Sequence, residues 1–143
     1  QLLDVLEFAV SALPAEAGTF MQVSGLRFTV DPDIPSPVMK DTETGMFSHV
    51  GEGERRVSHV EILDKQSGEY KAVELSRQYT IATLDYLILE QGGSGILSCV
   101  KPDSIYWGAD IEVLRHYLES VLGGNIGSEY TQPQGRIIYK YFN

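Results

Sequence analysis

The sequence predicts an α+β fold in which a mixed or antiparallel sheet packs with two main helices. Apolar residues recur at helical spacing over residues 2–13 and again over residues 110–122, and alternating segments with hairpin turns lie between them. Strands and helices therefore interleave irregularly, which favours a sheet with antiparallel pairs. A chain of 143 residues fits one domain, and we expect residues 1–143 to form it.

The first third of the chain contains one helix, one strand region and one long loop. The helix is predicted over residues 2–13 and ends near Pro14. Residues 20–31 are predicted to form a strand pair or a bulged strand, with Gly25 at the irregularity. Residues 32–53 have little periodicity and several prolines, so we expect a long surface loop there.

Four strands are expected in the middle of the chain. Residues 57–63 alternate, and the turn at residues 65–68 leads into a partner strand over residues 70–75. Residues 79–83 are β-branched or aromatic and predict another strand, and residues 96–100 predict a short one.

The last part of the chain begins with an amphipathic helix over residues 110–122, which Gly123 and Gly124 end. We expect its apolar face to lie in the core. That face comprises Ile111, Leu114, Tyr117, Leu118 and Val121. Residues 135–142 predict a terminal strand.

The composition excludes several classes of function. Twenty acidic against eleven basic residues give a net charge of −9, which argues against a nucleic-acid backbone or an anionic membrane as partner. No apolar run approaches the roughly 18 residues of a membrane span. One cysteine excludes an internal disulfide, and three isolated histidines do not suggest a metal site. No nucleophile motif or phosphate-binding loop is present, so the residues alone indicate a domain without a catalytic centre.

One stretch, residues 79–95, has the pattern of a ligand rim. A predicted strand runs through Asp85 and Tyr86 into an apolar segment, which ends at Gly92, Gly93, Ser94 and Gly95. Glycines at these positions allow positive φ and close approach of a ligand or another backbone. The same composition is typical of a structural turn, and both interpretations stand on the residues alone.

Two segments resemble the C-terminal domain of the 5′-nucleotidase family. Residues 18–31, GTFMQVSGLRFTVD, are similar to that family's G-x-F-x-Q-V-[SG]-G…D segment. Residues 79–87, YTIATLDYL, followed by GGSG at residues 92–95, are similar to its Y-x-[VI]-A-T-N-D-[FY]-L…G-G-D-G pattern. The later helix and the final Gly-Arg-Ile also match in type and order. The resemblance covers nearly the whole chain except residues 32–53.

The resemblance implies a division of labour between two domains. An N-terminal metallophosphoesterase domain, in the same or a separate chain, would hold two divalent metal ions and hydrolyse the phosphate ester. This chain would bind no metal and contain no catalytic residue, so it would be inactive alone. Tyr86 would stack on the base of a nucleoside-type ligand. The other substrate-binding residues implied are Asp85, Gly92, Gly93, Ser94 and Gly95.

The resemblance further implies a periplasmic or cell-surface enzyme that dephosphorylates nucleotides or nucleotide sugars. Position 1 is Gln within an apolar helical pattern, so we expect a fragment or processed product that begins after the first strands of the domain.

Two positions depart from the family pattern. Ser94 stands in place of an Asp, which replaces a charged double acceptor for ribose hydroxyls with one hydroxyl, and Leu84 stands in place of an Asn. These departures leave open another phosphorylated or sugar-linked substrate. They also motivate an alternative, a non-catalytic binding or interaction module that has kept the fold without the nucleotide site. Tyr86 would then be a partly buried core residue.

Overall fold

A computed structural model describes residues 1–89, 94–97 and 107–140 of the chain. Contacts between residues divide the chain into two compact units, one of Gln1–Val100 with Gly135–Asn143 and one of Lys101–Gln134. The assignment of residues 1–143 to one domain stays a prediction.

The first unit contains the sheet and the candidate site. Its elements are α1 (Leu2–Ala9), β1 (Leu26–Val30), β2 (Val38–Lys40), β3 (Phe47–Val50), β4 (Val57–Leu63), β5 (Tyr70–Ala72), α2 (Asp85–Leu89) and the last strand (Ile137–Tyr139), numbered β6. The second unit contains α3 (Asp110–His116), a π-helical turn (Tyr117–Val121) and a 3₁₀ turn (Ser128–Tyr130).

A mixed four-stranded sheet organises the first unit, in the order β5-β4-β1-β6. β4 pairs antiparallel with β1 and with β5, whereas β6 pairs parallel with β1. The register between β1 and β4 shifts between Arg27 and Thr29, so β1 is irregular near its centre. The α+β class predicted from the sequence is confirmed.

Two hydrophobic clusters share α1. The larger cluster lies between α1 and the sheet and is built from Leu6, Val10, Phe28, Val30, Val57 and Val60. The smaller cluster has Phe8, Ile96 and Leu97 as its buried residues. Successive positions of α1 enter different clusters, so the orientation of this one helix determines the packing of both.

α1 ends after eight residues, earlier than the predicted helix. Nη1 of Arg56 donates to the carbonyl oxygens of Val10, Ser11 and Leu13 at 3.1, 3.2 and 2.8 Å. Nε of Arg56 donates to the carbonyl oxygen of Ile34 at 2.5 Å. Carbonyls beyond the last helical turn need partners from outside the helix, and the guanidinium supplies them.

Glu7 joins α1 to the start of β4. Its side chain is fully buried, at 0% exposure. Oε1 accepts from the backbone N–H of Arg56 at 2.9 Å, and Oε2 accepts from that of Val57 at 3.1 Å. A buried carboxylate is costly unless both oxygens are hydrogen-bonded, and here both are.

The strand predictions are confirmed in most places and wrong in some. β4 has the predicted limits, and the turn at residues 65–68 closes with the N–H of Gly68 on the carbonyl of Asp64 at 2.8 Å. β5 and β6 are shorter than predicted, and residues 141–143 lie outside the described part. Within residues 20–31 the strand begins only at Leu26, after Gly25 with φ +74°.

The strand predicted over residues 79–83 is wrong. These residues pair with no strand within the described ranges. Tyr79 instead accepts a hydrogen bond at its hydroxyl from the N–H of Glu74 at 2.9 Å, and the guanidinium of Arg77 lies 5.4 Å from its ring centroid. β-propensity has little effect where no neighbouring strand edge is available. Residues 96 and 97 form a turn rather than the predicted strand, whose remaining residues lie outside the described part.

A hairpin of β2 and β3 forms inside the stretch predicted as a long surface loop. Oδ1 of Asp41 accepts from the N–H groups of Glu43 and Thr44 and from the Thr44 hydroxyl, which closes the tip. Strands of three and four residues are too short for alternation to be visible in the sequence. Phe47 anchors the hairpin to α1, because its ring packs edge-on against Phe8.

The helix predicted over residues 110–122 is confirmed as α3 with its π-helical turn. The expected burial of its apolar face is not seen within the described residues. Ile111, Leu114 and Val121 are 66%, 52% and 60% exposed. The described residues of this unit form one helix with short turns, and these contain no second layer against which an apolar face can be buried.

Glu7→Gln is expected to destabilise the chain by about 1–3 kcal/mol, because the amide NH₂ would face a backbone donor and leave it unsatisfied. Urea unfolding followed by circular dichroism measures the change. The exposed Glu16→Gln serves as the matched control and should unfold like the parent chain. Equal midpoints for the two variants would contradict the assigned role of Glu7.

The side-chain hydrogen bond from Lys71, helped by the backbone N–H of Gln66, lowers the pKa of Asp64 from 3.8 to about 2. Because the folded-state pKa is depressed, the stabilisation is present above the unfolded-state pKa and is lost as the pH falls towards the folded-state value. Lys71→Met should therefore raise the Asp64 pKa towards 3.8. Carboxyl NMR titration checks this, and an unchanged Asp64 midpoint in the variant would refute the pairing.

Candidate functional site

α2 is a helix of five residues that begins at Asp85. Oδ1 of Asp85 accepts from the backbone N–H of Tyr86 at 2.8 Å, and the N–H of Leu87 donates to the carbonyl of Leu84 at 3.1 Å. A helix this short is not stable by itself, so tertiary contacts must hold it in place.

The two sides of α2 have different environments. Leu87 and Ile88 are half-buried and pack against the cluster of Phe8, Ile96 and Leu97. Tyr86, one position earlier, is 51% exposed. An aromatic residue that keeps half of its surface open, next to anchored neighbours, can offer a ring to a flat partner. The alternative of Tyr86 as a core residue does not fit this exposure.

Ser94 is in a different setting. It is 8% exposed, and its carbonyl oxygen accepts from the N–H of Phe47 at 2.7 Å. Gly95 follows with φ +69°, the left-handed backbone region that favours glycine. Gly92 and Gly93 lie outside the described residues.

The structure brings the two predicted segments together through their neighbours. Leu87 follows Tyr86 and Ile96 follows Gly95, and both side chains belong to the smaller cluster. Phe8 and Phe47 also belong to this cluster, with ring centroids 5.7 Å apart and planes at 81°. The contact between Phe47 and Ser94 could not be predicted from the sequence, because the two residues are far apart along the chain.

The surface depressions in the described part of the first unit include the following two. One, of about 510 Å³, is lined mainly by residues of the 33–37 and 52–54 segments. The other, of about 370 Å³, includes Phe47, His49, Arg55 and Ile96. Tyr86 lines neither of the two. Among the described residues, no group of three or more His, Cys, Asp or Glu is arranged to hold a metal ion.

A protein-family model described as "5′-nucleotidase, C-terminal domain" matches residues 1–101. The matched span includes every residue assigned to the candidate site. No curated protein and no solved structure gives a match. Within the described residues, none of the helices has the length and apolar character needed to cross a membrane.

Proposed function

The chain belongs to the 5′-nucleotidase C-terminal domain family, and we propose from this premise that it recognises the nucleoside part of a phosphorylated substrate. In this proposal the base stacks on the ring of Tyr86. The hydrolytic step takes place on a separate metallophosphoesterase domain. The substrates are nucleotides or nucleotide sugars.

The observation that carries the proposal is the exposure of Tyr86 on an anchored helix. The ring is 51% exposed, while Leu87 and Ile88 behind it pack against the smaller cluster. A stacking residue needs an accessible face and a fixed backbone, because each rotamer or loop that must be ordered on binding reduces the affinity. α2 meets both requirements.

The segment at Ser94 and Gly95 has a second role in the proposal. Positive φ at Gly95 turns the backbone where no side chain intervenes, so ribose hydroxyls can approach main-chain groups. In the proposal, Gly92 and Gly93 belong to the same substrate-binding segment. Because Ser94 is buried at 8% exposure, its main contribution is structural, and Asp85 is the exposed polar side chain next to Tyr86.

The catalytic part of the proposal lies outside this chain. Families with this domain usually pair it with an N-terminal metallophosphoesterase domain, which would supply two divalent metal ions. Those ions would bind the phosphate and activate the attacking water. A periplasmic or cell-surface location belongs to the same proposal, on family resemblance alone.

A non-catalytic binding or interaction module is the second candidate function. The burial of Ser94 favours it. The family's aspartate at this position would act on a ligand, whereas Ser94 is buried and its backbone carbonyl accepts a hydrogen bond from β3. In this alternative the fold is kept and nucleosides do not bind.

The purified chain is expected to release no phosphate from AMP when Mg²⁺, Mn²⁺ or Co²⁺ is added. A colorimetric phosphate assay measures the reaction, and the same reaction with a separately expressed metallophosphoesterase domain shows that the conditions permit turnover. Sustained AMP hydrolysis by this chain alone would contradict the division of labour.

Tyr86→Ala should weaken adenosine binding by about 1–3 kcal/mol, the usual contribution of one base–aromatic stack. Tyr86→Phe should retain binding, because the ring face remains. Isothermal titration calorimetry with adenosine, AMP and UDP-glucose measures the affinities. Tyr70→Ala on the edge strand β5 is the matched aromatic control.

The outcomes separate the two candidate functions. Saturable binding that Tyr86→Ala removes and Tyr70→Ala leaves intact supports nucleoside recognition. Absence of binding to all three ligands supports the non-catalytic module. Binding that is equally strong in parent and Tyr86→Ala would show that the nucleoside occupies another surface.

A further inference from the structure

The hairpin of β2 and β3 lies in the stretch that the sequence predicted to be a long surface loop. Val38 pairs with Val50 and Met39 with His49 across the two strands. The N–H of Asp41 donates to the carbonyl of Met46 at 2.8 Å. Together with the side-chain hydrogen bonds of Asp41 at the tip, these contacts give the hairpin a defined shape. A hairpin of defined shape can hold the residues that pack against it in fixed positions.

Phe47 connects this hairpin to the candidate site by two separate contacts. Its ring packs edge-on against Phe8, with centroids 5.7 Å apart. Its backbone N–H donates to the carbonyl of Ser94 at 2.7 Å. One residue therefore contacts both the helix α1 and the segment that leads into Gly95 and Ile96.

The same cluster holds α2. Phe47 packs against the cluster of Phe8, Ile96 and Leu97, and so do Leu87 and Ile88. α2 has only five residues, so its position depends on this packing rather than on its own hydrogen bonds. Truncation of Phe47 would leave a cavity and loosen the packing of the cluster. α2, which contains Tyr86, packs against that cluster.

We propose that Phe47 is a positioning residue for Tyr86, and that the hairpin is the element through which this chain fixes the orientation of its stacking ring. The residue does not touch the ligand. It acts through Phe8 and Ser94, which hold the cluster and the 94–97 segment in place. The proposal rests on the proposed function for its ligand, but the positioning of Tyr86 can be measured without one.

The first test measures the ring itself. The chain is labelled with 3-fluorotyrosine, and the Tyr86 ¹⁹F signal is assigned from its absence in Tyr86→Phe. Phe47→Ala should shift or broaden this signal. Val60→Ala, which truncates a buried residue of the larger cluster, is the control for general destabilisation and should leave the signal in place. Phe47→Leu keeps the apolar contact and should give a smaller change, and it replaces Phe47→Ala if that variant does not fold.

The second test measures adenosine affinity by calorimetry in the same variants. Phe47→Ala should weaken binding about tenfold or more, because a loosened support makes the ring less well ordered before binding. Val60→Ala should bind like the parent chain. If the parent binds no adenosine but the Tyr86 signal still responds to Phe47→Ala, the positioning holds and the proposed function fails.

An unchanged Tyr86 signal in both Phe47→Ala and Phe47→Leu overturns the positioning role. So does an equal change in Phe47→Ala and Val60→Ala, because the effect would then follow from lost stability alone. Where the parent chain binds adenosine, an unchanged affinity in a folded Phe47→Ala chain also overturns the proposal.

Discussion

The hydrogen bonds that the buried side chains of Glu7 and Arg56 make with the backbone determine how α1 sits, and most of the first unit depends on α1. The carboxylate binds the backbone N–H groups at the start of β4, and the guanidinium binds the carbonyls beyond the end of the helix. Neither charged group lies against apolar side chains without partners, which would be costly. Since α1 sends Leu6 into one hydrophobic cluster and Phe8 into the other, a constraint located at the sheet also fixes the packing beneath the candidate site.

The parts of this fold that could be read from the sequence are those governed by local chemistry. The limits of β4 and the turn that ends at Gly68 follow from alternation and from turn residues close together in the chain. The end of α1 could not be predicted, because it depends on Arg56, which is more than forty residues away. The hairpin was missed because Phe47 finds its partners, Phe8 and Ser94, only in the folded chain.

The candidate site also has features that could be predicted from the sequence and features that could not. The motif residues drew attention to Tyr86 and Ser94 equally, yet one is half exposed and the other is buried. Sequence spacing could not separate them, because Ser94 accepts a hydrogen bond from Phe47 in β3, a residue far from it along the chain. The sequence likewise shows that Leu87 and Ile96 are apolar. Only the tertiary structure shows that both side chains belong to the same cluster.

Under the proposed function, charge determines which half of a nucleotide the surface at Tyr86 would suit. The chain carries a net charge of −9, and Asp85, directly before Tyr86, is exposed. A phosphate dianion placed beside this carboxylate would be repelled, whereas an uncharged base loses nothing there and gains contact with the ring. The phosphate therefore needs compensating positive charge from elsewhere, which two divalent cations on a separate domain would provide. Under the proposed function, a surface that favours the base and disfavours the phosphate would orient the substrate before any catalytic group acts on it, which would be a physical reason to keep recognition and hydrolysis on different domains.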